Sequence, residues 1–264
     1  MVDSLRLIRR RIALIERRGP LAGAGDPACW PTGHSALDWA LGGGLPCGRL
    51  HELLAESGEA GSGSGFAAML AYLLGGEWLW LSEERAWRQA GALSATGLAA
   101  LGFDPARLIL ALLPDATAVL RAAVDGLRCP ALGGVLIELT GDPRALDLTA
   151  SRRLVLAAEK SGVSAILLRL DGQAAPSAAQ TRWRVTAAPS VPLAAGAPGR
   201  PAWDLELLRQ RGRPAGGIWR VEWDYEQGRL RDWYERDGTA LPGAVAPAAA
   251  DRSAGAGTTL HHAG

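Results

Sequence analysis

The sequence is poor in cysteine, long apolar runs and metal-binding motifs, and each shortage excludes a class of protein. Its three cysteines, Cys29, Cys47 and Cys129, form no Cys-x-x-Cys pair, a pattern that suits reduced thiols in a cytoplasm. No run of about 18 consecutive apolar residues is present to predict a membrane span. His51-Glu52 begins like a zinc helix, but alanine at position 55 breaks the HExxH spacing, so we predict no metal site.

The sequence also has little lysine and a net charge close to zero. Lys160 is the single lysine, and the formal net charge of +1 supplies no overall basic field for binding nucleic acid. In contrast, 48% of the 264 residues are hydrophobic, which is enough to bury one substantial core. We therefore expect a cytoplasmic globular protein with no membrane contact.

A glycine- and serine-rich stretch lies between two apolar segments in the first third of the chain. Leu50–Leu54 predicts a strand, Gly58–Gly65 a flexible loop, and Phe66–Leu74 a helix. A strand, loop and helix in this order can bind phosphate, because backbone N–H groups and the helix dipole converge on the anion.

The residues of this stretch depart from the phosphate-binding motif G-x-x-x-x-G-K-[ST]. Gly58 and Gly63 keep the glycine spacing, but Ser64 replaces the lysine and Gly65 replaces the hydroxyl residue that binds Mg²⁺. The predicted degenerate phosphate loop comprises Gly58, Gly61, Gly63, Ser64 and Gly65. We expect no ATP hydrolysis and no cofactor, since phosphoryl transfer needs the missing charges.

Apolar runs then alternate with helical segments, which predicts an α/β fold with a mostly parallel sheet and flanking helices. Strands are predicted at Glu77–Glu84, Arg107–Leu113, Gly134–Leu139 and Ala165–Leu170, and helices at Ala90–Leu101, Ala116–Leu127 and Leu146–Ser161. The near-continuous apolar run of Arg107–Leu113 indicates a buried strand. Four later segments, Thr181–Thr186, Trp203–Gln210, Gly217–Trp223 and Arg229–Glu235, are expected to extend the sheet with antiparallel partners.

Composition divides the chain into three parts. Residues 1–19 predict a basic amphipathic helix, which carries Arg9 and Arg10. Residues 26–235 hold the alternating pattern of the core. Residues 236–264 are rich in Ala, Gly and Pro without apolar periodicity, so we expect a disordered tail.

Two sets of motifs carry a resemblance to known families. Thr32–Glu52 contains TG-x-x-x-LD-x-x-LGGGLP-x-GR-x-x-E, which resembles the segment ahead of the phosphate loop in the RecA/Rad51 superfamily of P-loop proteins. With Asp147–Gly162 (DLTASRRLVLAAEKSG), Thr181–Val185 (TRWRV) and Gly217–Trp223 (GIWRVEW), the chain resembles the ImuA family from about Leu5 to Tyr234.

The resemblance implies a RecA-like P-loop core and a non-catalytic accessory role in DNA-damage-induced mutagenesis. The implied process is translesion synthesis in the SOS response, a branch of DNA repair, and the implied partners are ImuB and an error-prone DnaE-type polymerase. Single-stranded DNA, RecA or a second copy of the chain are further candidate partners. By the same resemblance, Glu83, Glu84 and Glu138 are relics of the catalytic carboxylates.

Three other functions fit parts of the sequence. A cell-division inhibitor of the SulA type would share the fold without a working phosphate loop, and a weak nucleotide- or DNA-binding protein would use the loop or the arginines. The third is an NAD(P)-dependent oxidoreductase, because Gly63-x-Gly65-x-x-Ala68 matches a dinucleotide fingerprint with Glu83 about 20 residues further on.

Arginine and tryptophan are the side chains that most often anchor interfaces. The candidate contacts with a partner or DNA are Arg9, Arg10, Arg182, Trp183, Arg184, Trp219 and Arg220. Ordinary strand alternation, with tryptophan inward and arginine outward, also explains the later five.

Overall fold

The computed structural model describes residues 29–191 and 199–233 of the chain. The predicted N-terminal helix with Arg9 and Arg10 and the predicted tail lie outside these residues, so the three-part division stays a prediction. Within the described residues, none of the helices has the length and apolar character needed to cross a membrane.

Eleven strands and six α-helices make up the described chain. The strands are β1 (Cys29–Trp30), β2 (Leu45–Pro46), β3 (Leu50–Ala55), β4 (Glu77–Glu83), β5 (Leu108–Leu113), β6 (Leu132–Thr140), β7 (Ser164–Leu170), β8 (Thr181–Ala187), β9 (Ala202–Gln210), β10 (Ile218–Asp224) and β11 (Arg229–Asp232). The helices are α1 (Ser35–Leu41), α2 (Ala60–Leu74), α3 (Glu84–Ala90), α4 (Ala95–Ala100), α5 (Ala116–Leu127) and α6 (Leu148–Ser161). Single 3-10 turns lie at Ser57–Glu59 and Pro105–Arg107.

Nine strands form one sheet in the order β11-β10-β9-β8-β3-β7-β6-β4-β5, and β1 pairs with β2 separately. The six strands from β8 to β5 are mutually parallel, and β9, β10 and β11 continue the sheet in antiparallel pairing. This confirms the predicted fold class. One detail differs: β8 was expected to join the sheet through antiparallel partners, but it pairs in parallel with β3 as well as antiparallel with β9.

Helices cover both faces of the sheet, as continuous apolar strands require. On one face α2 packs against a core rich in tryptophan, which includes Trp78, Trp80, Trp183 and Trp223. On the other face α5 and α6 pack against aliphatic residues of β6 and β7. Each of these two helices begins at an aspartate whose carboxylate accepts a backbone N–H bond three residues on, the preferred N-terminal cap.

The prediction that the segment forming β5 is a buried strand was wrong. The strand is present, but it is the last strand of the sheet, so its outer side has no neighbour in the described chain. Ile109 is 57% exposed, Leu110 39% and Leu112 40%. An apolar run has the same appearance in an edge strand as in a central one, and the order of the strands decides which it becomes.

Candidate functional site

The position of a phosphate loop in this fold is the connection between β3 and α2. The strand ends at Ala55 and the helix begins at Ala60, so only residues 56–59 join them, and three of these form a 3-10 turn. The predicted loop over Gly58–Gly65 was therefore wrong in extent. Gly58 lies in the turn, whereas Gly61, Gly63, Ser64 and Gly65 lie in the first turns of the helix.

Close contact between helix and sheet explains why glycine occupies this helical turn. A Cβ atom on Gly63 would lie 2.9 Å from the Cβ of Ala55 and 3.1 Å from a methyl group of Leu168. Glycine thus lets α2 approach β3 and β7 more closely than any other residue would allow. In addition, the indole N–H of Trp203 donates to the carbonyl of Ser62 at 3.1 Å, which ties the helix start to β9.

The same placement contradicts the dinucleotide hypothesis. In that fingerprint the glycines form the tight turn between the first strand and its helix. Here Gly63, Gly65 and Ala68 all lie inside α2, beyond the turn that follows β3. They cannot hold the backbone of that turn against a pyrophosphate.

The three predicted relic carboxylates do not converge on one point. Glu138 pairs in register with Ser82, and Glu83 is the next residue on that strand, so the side chains of Glu83 and Glu138 point to opposite faces of the sheet. Glu84 begins α3, is exposed, and forms an ion pair with Arg88 at 2.9 Å. Only Glu138 lies on the face that α2 covers.

Burial changes the acidity of the two strand carboxylates. It raises the pKa of Glu138, although the indole N–H of Trp80 donates to this carboxylate at 2.7 Å and opposes the shift. The pKa of Glu83 is raised chiefly by burial and also by the nearby Asp115. In both cases burial disfavours the charged form, which is the form that would bind Mg²⁺.

A cleft of about 380 Å³ opens at the carboxyl ends of β3, β7 and β8. Sequence analysis did not find it, although ligands of open α/β sheets bind outside the carboxyl ends of the strands. Its lining residues are Leu54, Ala55, Glu56, Asp171, Gly172, Gln173, Ala174, Arg184, Val185 and Thr186. Two carboxylates face one arginine among these residues, so the cleft carries no excess of positive charge to hold a polyphosphate.

A buried group of charges lies beside this cleft. Glu52 on β3 is fully buried and accepts hydrogen bonds from Arg169 on β7 at 3.1 Å, from Arg182 on β8 at 2.9 Å and from Ser177 at 2.7 Å. Arg169 also forms an ion pair with Asp142. These bonds fasten the loops after β6 and β7 to the sheet.

The predicted contact residues on β8 have different environments. Arg182 is buried in the pairing just described, and Trp183 is buried in the tryptophan-rich core, so neither reaches the surface. The prediction of alternation was wrong for Arg182, because Glu52 on the neighbouring strand pairs with it inside the fold. Arg184 is exposed and forms an ion pair with Glu206. It remains a candidate contact.

Trp219 and Arg220 on β10 are partly exposed. The ring of Trp219 packs at 6.2 Å from that of Trp183. Arg220 makes a two-pronged pairing with Asp204 at 2.7 and 2.8 Å and lies over the ring of Trp233 at 5.6 Å. Contacts within the protein fix the position of both side chains, so a partner that binds them would not have to order them.

Comparisons with known proteins agree with this architecture. No family model matches the chain. It is 34% identical over 221 residues to Protein ImuA of Caulobacter vibrioides, from strain NA1000 / CB15N and from strain ATCC 19089 / CIP 103742 / CB 15, covering 75% of this chain and 82% of each relative. The crystal structure of the RadB recombinase superimposes with a TM-score of 0.54 at 21% identity, over 77% of this chain and 99% of that one. The latter likeness supports the RecA-like fold.

Proposed function

This chain belongs to the ImuA family, and from that premise we propose that it is a non-catalytic accessory factor of damage-induced mutagenesis. It acts through contacts with ImuB and an error-prone DnaE-type polymerase during translesion synthesis. The observation that supports the proposal is the connection between β3 and α2, which has four residues, with Ser64 and Gly65 inside the helix where the phosphate-binding motif has lysine and a hydroxyl residue.

We infer the absence of catalysis from the missing positive charge as well as from the short connection between β3 and α2. Lysine and Mg²⁺ neutralise the charge that develops on phosphate oxygens in phosphoryl transfer. Lys160, the single lysine, lies in the last turn of α6. Phosphate release from ATP should therefore equal a protein-free blank, with or without single-stranded DNA. Turnover above the blank that disappears in the Glu83→Ala, Glu84→Ala double variant would contradict this part of the proposal.

The outer edge of β5 is the surface we propose for the main protein contact. Its six residues, LILALL, carry no charge, and in the described chain the strand pairs with β4 alone. Unpaired N–H and C=O groups beside exposed apolar side chains allow an extended segment of a partner to add as a further strand. We assign this position to a segment of ImuB.

Ile109→Lys tests that assignment against a matched control. Ile109 on β5 is 57% exposed and Ile218 on β10 is 73% exposed, so the same replacement at either position puts a lysine on the surface of a strand. Ile109→Lys should weaken binding of purified ImuB about tenfold, the loss of a moderate interface hot spot, and Ile218→Lys should leave it unchanged. Equal affinities of the two variants would exclude the β5 edge as the contact.

A further inference from the structure

The outward face of α6 carries residues that packing does not require. Ser151, Leu154, Val155 and Ala158 point inward and hold the helix against the sheet and α5. Leu156 points outward and is 65% exposed. Because one exposed leucine is ordinary on a protein surface, its neighbours decide whether it marks a binding site.

Those neighbours are cations. Arg152 and Arg153 lie one turn before Leu156, at spacings of four and three residues, and Lys160 lies one turn after it at a spacing of four. All three are exposed, and no ion pair joins any of them to another residue in the described part of the chain. We call Arg152, Arg153, Leu156 and Lys160 the α6 basic face.

The one acidic residue within this turn does not balance the cations. Glu159 forms an ion pair with Arg49, ahead of β3, at 2.6 Å. Its negative charge is therefore compensated away from the α6 basic face. The face presents three positive charges around an apolar centre, and a complementary ligand needs an apolar group with carboxylates on both sides.

We propose that the α6 basic face binds an acidic amphipathic helix of a partner protein. An apolar side chain of that helix packs on Leu156, and carboxylates one turn before and after it pair with the arginines and with Lys160. Removing Leu156 from water favours a protein ligand over a nucleic acid, because a phosphate backbone offers no apolar surface to cover it. Electrostatic complementarity of this kind also accelerates association and selects against basic partners.

This surface is separate from the β5 edge. The helix packs on β7 and β3, whereas β4, β6 and α5 lie between it and β5. Both surfaces can be occupied at once, and the inference does not depend on ImuB being the ligand of either.

The test uses the full chain and a fluorescein-labelled peptide of about 20 residues, long enough to be helical. One face of the peptide carries a central leucine with glutamates one turn before and one turn after it. Fluorescence anisotropy should give micromolar binding. Arg152→Glu with Arg153→Glu should weaken it at least about tenfold, since attraction becomes repulsion. Leu156→Ser should weaken it about fivefold by removing the apolar contact.

Matched controls separate this site from general charge effects. Arg85→Glu with Arg211→Glu changes the net charge equally at two other exposed arginines and should leave binding unchanged. A peptide with lysine in place of glutamate should not bind. A peptide with serine in place of leucine should bind as weakly as the acidic peptide binds to Leu156→Ser.

Three results would overturn the proposal. One is no binding of the acidic peptide at micromolar concentration, and another is an equal loss in the Arg85, Arg211 control. The third is tighter binding of a labelled single-stranded oligonucleotide that the Arg152, Arg153 variant loses, which would make the face a nucleic-acid site. None of these measurements contains ImuB, so a failure here leaves the proposed function to its own test.

Discussion

The carboxyl end of β3 and the outer edge of β5 differ in how fully the chain satisfies their own groups. Within β3, Glu52 is paired with two arginines. At the end of the strand, Gly63 lets the next helix rest on Ala55, and the turn into that helix is short. At the edge of β5, apolar side chains are exposed, and within residues 29–191 and 199–233 the strand pairs with β4 alone.

Groups that the chain leaves unpaired can still contribute binding free energy to a partner protein. In a RecA-like fold the first region would hold the nucleotide, but here Arg169 and Arg182 are paired with Glu52, and the adjoining cleft has no excess of positive charge. The strand at the opposite edge of the sheet does not expose apolar side chains in this way. β11 has only four residues, RLRD, and its Asp232 accepts a hydrogen bond from His34 at 2.8 Å. Short and charged edge strands resist pairing with other chains, whereas β5 is longer than β11 and carries no charge.

The largest expected effect comes from breaking the pairing at β3. Glu52→Gln leaves Arg182 buried without its counter-charge and Arg169 paired with Asp142 alone, which should lower the free energy of unfolding by about 3–5 kcal/mol. The control Glu206→Gln removes the exposed partner of Arg184 and should cost less than about 1 kcal/mol. Urea denaturation measures both. Equal losses would show that the buried charges contribute no more than a surface pair.

The next effect depends on pH. His51 on β3 is fully buried between the carbonyl of Pro46 and the hydroxyl of Thr181, and burial lowers its pKa from 6.5 to about 4. The unfolded chain binds this proton below pH 6.5 while the folded chain does so only near pH 4. Stability should therefore fall as pH falls across that interval, by about 3 kcal/mol in total.

Comparison with His51→Gln isolates this contribution. Glu83 and Glu138, whose raised pKa values favour the folded state as pH falls, are present in both proteins and cancel in the difference. The variant should lose less stability than the original chain between pH 7 and pH 5. A parallel pH dependence of the two proteins would refute the assignment of a neutral, buried His51.

A smaller effect tests the contact between α2 and β3. Gly63→Ala places a methyl group 2.9 Å from Ala55, so it should destabilise the fold by about 1–3 kcal/mol. Gly61→Ala in the same helical turn meets no atom within 4 Å and should stabilise it by about 0.5–1 kcal/mol. Thermal unfolding gives both values. Stabilisation by both changes would mean that the helix does not rest on the strand.

The smallest effect on stability is expected at β5. Lysine replacing the exposed Ile109 removes little packing, so the free energy of unfolding should change by no more than about 0.5 kcal/mol. The same variant is expected to bind ImuB about tenfold more weakly, so the change affects binding and not stability. A large loss of stability would indicate that Ile109 contributes to the core instead.

Local pattern predicted most of the sheet and helices. The helix Ala116–Leu127 was predicted with its observed bounds, and β4, β6 and β7 differ from their predictions by at most two residues at an end. Continuous apolar runs are local signals, so they can be recognised without knowledge of the overall topology. The same signals could not show that β5 is an edge strand, because its neighbours come from distant parts of the chain.

The candidate site was harder to predict for the same reason. Glycine and serine over residues 58–65 indicate a loop, and only the approach of Ala55 and Leu168 explains glycine in a helix at position 63. Likewise, Arg182 is a charged residue in the interior, and it can be buried because Glu52 lies opposite it on β3. A glutamate inside the apolar strand LHELLA was the one available sign that buried cations were near.

We propose that this protein works by binding other proteins and not by nucleotide chemistry. The most direct test is the dissociation constant of the complex with purified ImuB, measured with and without saturating Mg·ATP. We expect binding at micromolar concentration or tighter, with the same dissociation constant in both conditions. No binding at that concentration, or an affinity that changes when Mg·ATP is added, would contradict it.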